Sequence, residues 1–275
     1  MTRTPLLVLV ALVALGGLAA LAIRYRAVAP PPDPIQQMAE NRRNLFAEIQ
    51  PVKITNCEFE RVGDPHDGGY LMCRNLMDRA RSAYSYGIAG SDEWGCAVSA
   101  RLQVPVHQYD CFNLTRPPCA AGAAPMFHEE CVGPARLTED GRTFDTVQAQ
   151  VVRNGDEDKR LIMKMDVEGA EWPSFLAMPE SVLNQVDQLN VEFHGVEEAR
   201  FVEAIRKLKR VFYVANVHYN NWGCHPDVAP LPALAFEILF VNKELAVIDP
   251  AGAVVLPNPL DAPNNKDRAD CQALP

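Results

Sequence analysis

The chain has no excess of positive charge. Its 26 Lys and Arg face 35 Asp and Glu, a net charge of −9 at pH 7. Residues 1–30 carry Arg3, Arg24 and Arg26 and no acid, so the remainder is more acidic still. A surface of that sign repels a phosphate backbone, which argues against nucleic acid as a partner. No cysteine pair has zinc-ribbon spacing, and Cys224 beside His225 is not read as a metal pair, so no metal site is expected. No internal repeat is present, which excludes a solenoid of stacked units. Long apolar runs are confined to one place, residues 5–23, PLLVLVALVALGGLAALAI. That uncharged run is long enough to span a bilayer and longer than the apolar core of a usual cleaved signal. Ala27-Val28-Ala29 resembles a cleavage site, but Pro30 comes directly after it. The expectation is an uncleaved single-pass signal-anchor, with arginines on both sides leaving its orientation open.

Cysteine is present in an even number, eight, spread from Cys57 through Cys73, Cys96, Cys111, Cys119, Cys131 and Cys224 to Cys271. With a sequon at Asn113-Leu114-Thr115, this predicts disulfides and a lumenal or extracytoplasmic domain. The pairing stays open, and buried free thiols in a cytosolic core are the competing explanation. Four segments are expected: a membrane anchor with its flank (1–28), a proline-rich linker and amphipathic helix (29–56), the main domain (57–245) and a C-terminal tail (246–275) that is polar and mobile after Pro257.

Within the main domain, strands and helices alternate. Strands are expected at 83–88, 104–109, 161–165, 188–193, 212–217 and 235–241, and helices at 35–49, 92–102, 143–152, from 172 onward and at 196–208. Residues 61–70 are turn-rich and 111–125 irregular. This is the pattern of an open, mostly parallel α/β sheet covered on both faces. Residues 218–234 carry prolines where a crossover helix would lie, so the last two strands should pair antiparallel.

Ligands in such sheets bind outside the carboxyl ends of the strands. The first of these ends runs into Gly87 and Gly90, where the backbone can approach a ligand ahead of a helix N-terminus. The next strand ends at Asp110, about 20 residues past Gly87, where nucleotide-binding sheets grip a ribose. The strand in LIMKMDVEGAEW (161–172) delivers Asp166 and Glu168, with Glu171 one turn into the next helix and read as structural. Carboxylates there also serve as helix caps. VEFHG ends the following strand with Glu192 and His194, two apart and therefore on one face. Asp166, Glu168, Glu192 and His194 can thus surround one pocket and supply a general base for a hydroxyl. His218 ends the strand after that and is a weaker candidate of the same kind.

KMDVEGAEW resembles the K-[IM]-D-[VI]-E-G-[AS]-E signature of FkbM-type S-adenosylmethionine-dependent methyltransferases. Asp67-Gly68-Gly69-Tyr70, Ser85-Tyr86-Gly87-Ile88, Asp110 and 217–221 (VHYNN) extend the resemblance toward the methyltransferase-like 24 group, over roughly residues 58–242. The resemblance implies a class I methyltransferase (Rossmann-like) sheet of seven strands, one of them antiparallel. It implies S-adenosyl-L-methionine as cofactor, held by Gly87, Gly90, Asp110, Asp166 and Asp67. Asp166, His194 and Glu168 are then the catalytic candidates. The glycine loop here reads GIAGS, without a third glycine in register. The expected activity is O-methylation of a glycan or small-molecule hydroxyl. A non-catalytic binding or scaffold protein on the same sheet, and a nicotinamide-dependent oxidoreductase, are the alternatives. Oligomeric state is not legible.

Overall fold

The computed structural model describes residues 33–271, so the apolar run at 5–23 lies outside the described residues. Among the described residues no helix is long and apolar enough to cross a membrane. The chain divides after Gln37. Of the leading unit only residues 33–37 are described, as the start of helix α1 (Pro34–Glu48). The second unit, from Met38 onward, holds the sheets and the cavities.

Seven strands form its central sheet: β1 (Ser82–Tyr86), β2 (Val106–Tyr109), β3 (Met126–His128), β4 (Leu161–Met165), β5 (Val186–His194), β6 (Phe212–Tyr219) and β7 (Ala235–Asn242). Their spatial order is β3-β2-β1-β4-β5-β7-β6. All neighbours run parallel except β7, which lies antiparallel between β5 and β6. The sheet is mixed, mostly parallel and Rossmann-like, as the alternation of elements predicts. Chain order reverses between β1 and β4, which opens a crevice at their carboxyl ends.

Side chains alternate across each strand. Leu161, Met163 and Met165 of β4 and Leu189, Val191 and Phe193 of β5 enter the larger core. That core also takes Leu45 of α1, Val147 and Val151 of α3 (Val147–Arg153), and Trp172 and Phe175 of α4 (Glu171–Ala177). Leu183 of α5 (Glu180–Gln185) and Ile205 and Leu208 of α6 (Ala199–Val211) complete it. Helix α2 (Glu93–Leu102) covers the opposite face with Trp94 and Val98.

The rest of that opposite face is covered by a hairpin of Phe59–Gly63 and Gly69–Cys73 instead of a further helix. Here the turn-rich reading of 61–70 gives way to two strands around a short turn. The hairpin is docked by the polar positions of β5. Gln188 accepts from the Cys73 amide at 2.8 Å and donates to its carbonyl at 2.9 Å, and Asn190 donates to the Leu71 carbonyl at 2.9 Å. Those amides satisfy backbone groups that burial would otherwise leave unpaired. A small sheet of Cys131–Val132, Leu137–Glu139 and Arg142–Asp145 fills the connection from β3 to α3.

All eight cysteines are paired: Cys57–Cys73, Cys96–Cys119, Cys111–Cys131 and Cys224–Cys271. Such a set belongs to an oxidising, extracytoplasmic or lumenal environment. The last bridge corrects the reading of the tail as mobile. Residues 258–271 return to the sheet, where buried Asn264 donates to Glu237 at 2.7 Å and Asn221 binds the backbone of Asn265. Residues 38–56 and 246–271 belong to the same compact unit as 57–245.

Candidate functional site

At the carboxyl end of β1 the chain turns through Gly87 (φ +72°). A Cβ built there would lie 1.5 Å from the carbonyl oxygen of Asp166, so only glycine lets β1 and β4 end this close together. Lys164, almost wholly buried, ties the same two ends by donating to the Gly87 carbonyl at 2.6 Å. Its ammonium lies 3.6 Å from Oδ2 of Asp166, which also accepts from the Tyr70 hydroxyl at 3.3 Å.

Asp110 comes directly after β2 and closes the loop from the other side. Its Oδ2 accepts from the amides of Ile88 at 3.2 Å and Ala89 at 2.8 Å, and its Oδ1 from those of Phe112 at 2.8 Å and Asn113 at 3.0 Å. A carboxylate offers about four lone-pair sites, and all are in use. A ribose hydroxyl arriving here must share an oxygen that already holds the loop. Asp92 caps α2, accepting from the Gly95 amide at 2.8 Å.

These ends enclose a cavity of about 480 Å³ lined by Gly87, Asp110, Asp166 and Glu168 at its polar end and by Phe112, Val132 and Phe144 at its apolar end. The structure therefore brings four of the expected site residues together. Gly90 is not among the lining residues. It packs against Asn113, whose side-chain amide would lie 2.7 Å from a Cβ there and donates to the Ala89 carbonyl at 2.6 Å. Asp67 lines a second, more open cavity of about 690 Å³ with His66, Trp222, Asn264 and Arg268. Burial and the charges of Asp166 and Glu237 raise its pKa.

Beyond β4 the chain passes through Glu168 and Gly169, both at positive φ, into α4. Glu171, with no exposed surface, accepts from the Val167 amide at 2.7 Å and the Gly169 amide at 2.9 Å. It is the staple of this turn, as its place in the helix predicts. Its Oε1 also lies 3.2 Å from Nδ1 of His194. Nε2 of His194 faces Oε2 of Glu168 at 3.4 Å and Oε1 of Glu192 at 3.7 Å. Burial lowers the His194 pKa, but the bond and charge of Glu171, with Glu192 and Asp166, outweigh it and raise it to about 9. Burial, then the charges of Asp166 and Glu237, push the Glu192 carboxyl well above its ordinary value, against the Asn220 amide that donates to it.

His218 shares the sheet face of Glu192 but meets Glu237 at 3.1 Å and Asp270 at 3.3 Å, not the acids around His194. Cys224 is bridged to Cys271 and cannot serve with His225 as a ligand. Lys164, Tyr70 and Asn220 are site residues to which the sequence pattern assigns no role. Each lies inside a motif of the resemblance, KMD, DGGY or VHYNN, and that is their signal. No family model matches the chain, and no curated protein is significantly similar to it.

Proposed function

We propose that the chain is an S-adenosylmethionine-dependent methyltransferase of the FkbM type, closest to the methyltransferase-like 24 group, acting on a hydroxyl oxygen. The observation that carries this reading is the cavity at the carboxyl ends of β1, β2 and β4, at the reversal of strand order, lined by Gly87, Asp110, Asp166 and Glu168. A sheet with β7 alone antiparallel supports it, being the class I arrangement that the resemblance implies.

The residues present fit the cofactor. Phe112, Val132 and Phe144 offer an apolar slot for a flat base, and the acids at the other end suit a cationic sulfonium. S-adenosylmethionine, when bound, supplies an electrophilic methyl group. Gly87 allows close approach along the β1 end, Asp110 holds the loop that walls the nucleoside, and Asp166 and Glu168 provide negative charge at the reacting end. The proton of an acceptor hydroxyl would pass to a base on the chain. Asp166, beside Tyr70 and Lys164, is positioned as that base. His194, held protonated at neutral pH, steadies Glu168 and becomes a base only toward pH 9.

The acceptor site is proposed to be the 690 Å³ cavity, where half-exposed Trp222 and the groups of Asp67, His66 and Asn264 offer a stacking face and hydrogen bonds for a hydroxyl-rich glycan or small molecule. Residues 5–23 are proposed to anchor the domain to a membrane from its lumenal side.

The test is a panel of glycans and small hydroxylated molecules incubated with the full-length, disulfide-intact chain and a labelled methyl donor. One acceptor should gain the labelled methyl in the mass spectrum. Cofactor binding without transfer to any acceptor would favour the second reading, a binding or scaffold protein. The saturation of Asp110 by backbone amides is the observation on that side.

A further inference from the structure

The pocket behind the proposed reacting end holds an imidazole in an unusual setting. His194 gives Nδ1 to Glu171, a carboxylate with no exposed surface that is itself fixed by the amides of Val167 and Gly169. This fixes the ring and turns Nε2 toward Glu168, which lines the 480 Å³ cavity. A histidine that gives one ring nitrogen to a buried carboxylate and presents the other to open space is the usual arrangement of a metal-binding histidine. Here Nε2 meets only oxygen: Glu168 at 3.4 Å and Glu192 at 3.7 Å. One ligand atom from each of Asp166, Glu168 and His194 lies within 4.8 Å of the others.

Charge points the same way. The carboxylates of Asp166, Glu168, Glu171 and Glu192 converge on His194 and Lys164. Glu192, 3% exposed, stands opposite a further acid, Glu237, in the β5–β7 register. Glu237 is met by His218 at 3.1 Å, and Glu192 by the Asn220 amide and, at 3.7 Å, by His194. A positive ion beside Nε2 would be met by the carboxylates of Asp166 and Glu168.

We propose that Asp166, Glu168 and His194 form a binding site for a divalent cation, with Glu192 behind it. An oxygen-rich donor set with one imidazole suits Mn²⁺ or Mg²⁺ better than a thiolate-seeking ion. The site does not depend on the methyl-transfer reading. Within that reading, the cation would bind the acceptor oxygen beside Asp166 and favour loss of its proton.

The experiment uses the full-length, disulfide-intact chain, stripped of metal by a chelator and free of S-adenosylmethionine. It is titrated with Mn²⁺ while free Mn²⁺ is followed by electron paramagnetic resonance. One Mn²⁺ should bind per chain and be displaced by Mg²⁺. Glu168→Gln, at a side chain 87% exposed, should leave the thermal melt unchanged and weaken binding by at least about tenfold. His194→Gln should do the same to binding. No loss of signal at millimolar Mn²⁺ would overturn the site, and so would affinity unchanged in both variants. Because the cofactor is absent, neither result depends on whether the chain transfers a methyl group.

Discussion

The amide of Ala89 donates to Oδ2 of Asp110 at 2.8 Å, joining the loop after β1 to the end of β2. Three further backbone amides, those of Ile88, Phe112 and Asn113, share the same carboxylate. The pairing of a glycine loop with a distant acid, legible as spacing, is thus a mechanical link. Asp110→Ala leaves four amides without their acceptor. Charge-assisted hydrogen bonds of this kind are worth about 1.5–3 kcal/mol each at most and are not additive. A loss of roughly 3 kcal/mol in urea unfolding is expected, with S-adenosylmethionine affinity at least about tenfold weaker by calorimetry. Unchanged affinity in a folded Asp110→Ala chain would remove Asp110 from the cofactor site.

The Cys111–Cys131 bridge stands at the same wall, with Cys131 lining the cavity. Replacing both cysteines by serine should lower stability by about 3 kcal/mol, the cost of opening a loop of this length. It should also weaken cofactor binding, whereas replacing Cys224 and Cys271, away from that wall, should not. Peptide mapping without reductant checks the four pairings first, and eight free thiols would contradict the lumenal placement.

Asn113 is expected to escape glycosylation. Its side-chain nitrogen donates to the Ala89 carbonyl at 2.6 Å, and the residue lines the cavity. A glycan there would break the bond and block the mouth. Mass spectrometry of the peptide from a secretory host should find it unmodified, and full occupancy would count against a working cavity.

His218 makes the docking of the tail depend on pH. Burial lowers its pKa, but the bond and charge of Glu237, with the charges of Asp261 and Asp270, raise it to about 9. A folded-state pKa above the unfolded value of about 6.5 means that its stabilisation is complete below that pH. It is then lost as pH rises through 9, by up to roughly 3 kcal/mol. Amide exchange of residues 264–271 should quicken between pH 6.5 and 9 beyond the intrinsic base effect. In His218→Gln that excess should vanish.

Much of the sheet could be read from the sequence because its strands are apolar runs bounded by turn residues, and β1, β4, β5 and β7 lie within two residues of their expected limits. What could not be read has physical causes. Strand β3 is three residues long and partly exposed, too short to show a period. The expected helix at 143–152 is two elements, since Thr146 takes extended backbone and caps α3 by accepting from the Ala149 amide. The tail is polar because its asparagines bind buried groups such as Glu237, which from sequence alone looks the same as solvation. At the site, the acids at strand ends and their gathering with His194 around one pocket were legible from the strand-end positions. The bond from Glu171 to His194 was not, because β5 and the turn after β4 meet only in the folded sheet. Lys164 was hidden in an apolar strand, where nothing marked it as the tie between two strand ends.

The central claim is that the cavity beside Gly87, Asp110 and Asp166 holds S-adenosylmethionine. Isothermal calorimetry of the full-length, disulfide-intact chain tests it most directly, with nicotinamide dinucleotide as competitor. Saturable binding of one S-adenosylmethionine per chain is expected, unaffected by the dinucleotide and abolished by filling the β1–β4 approach with Gly87→Val. No heat at millimolar S-adenosylmethionine from a folded chain would contradict the account.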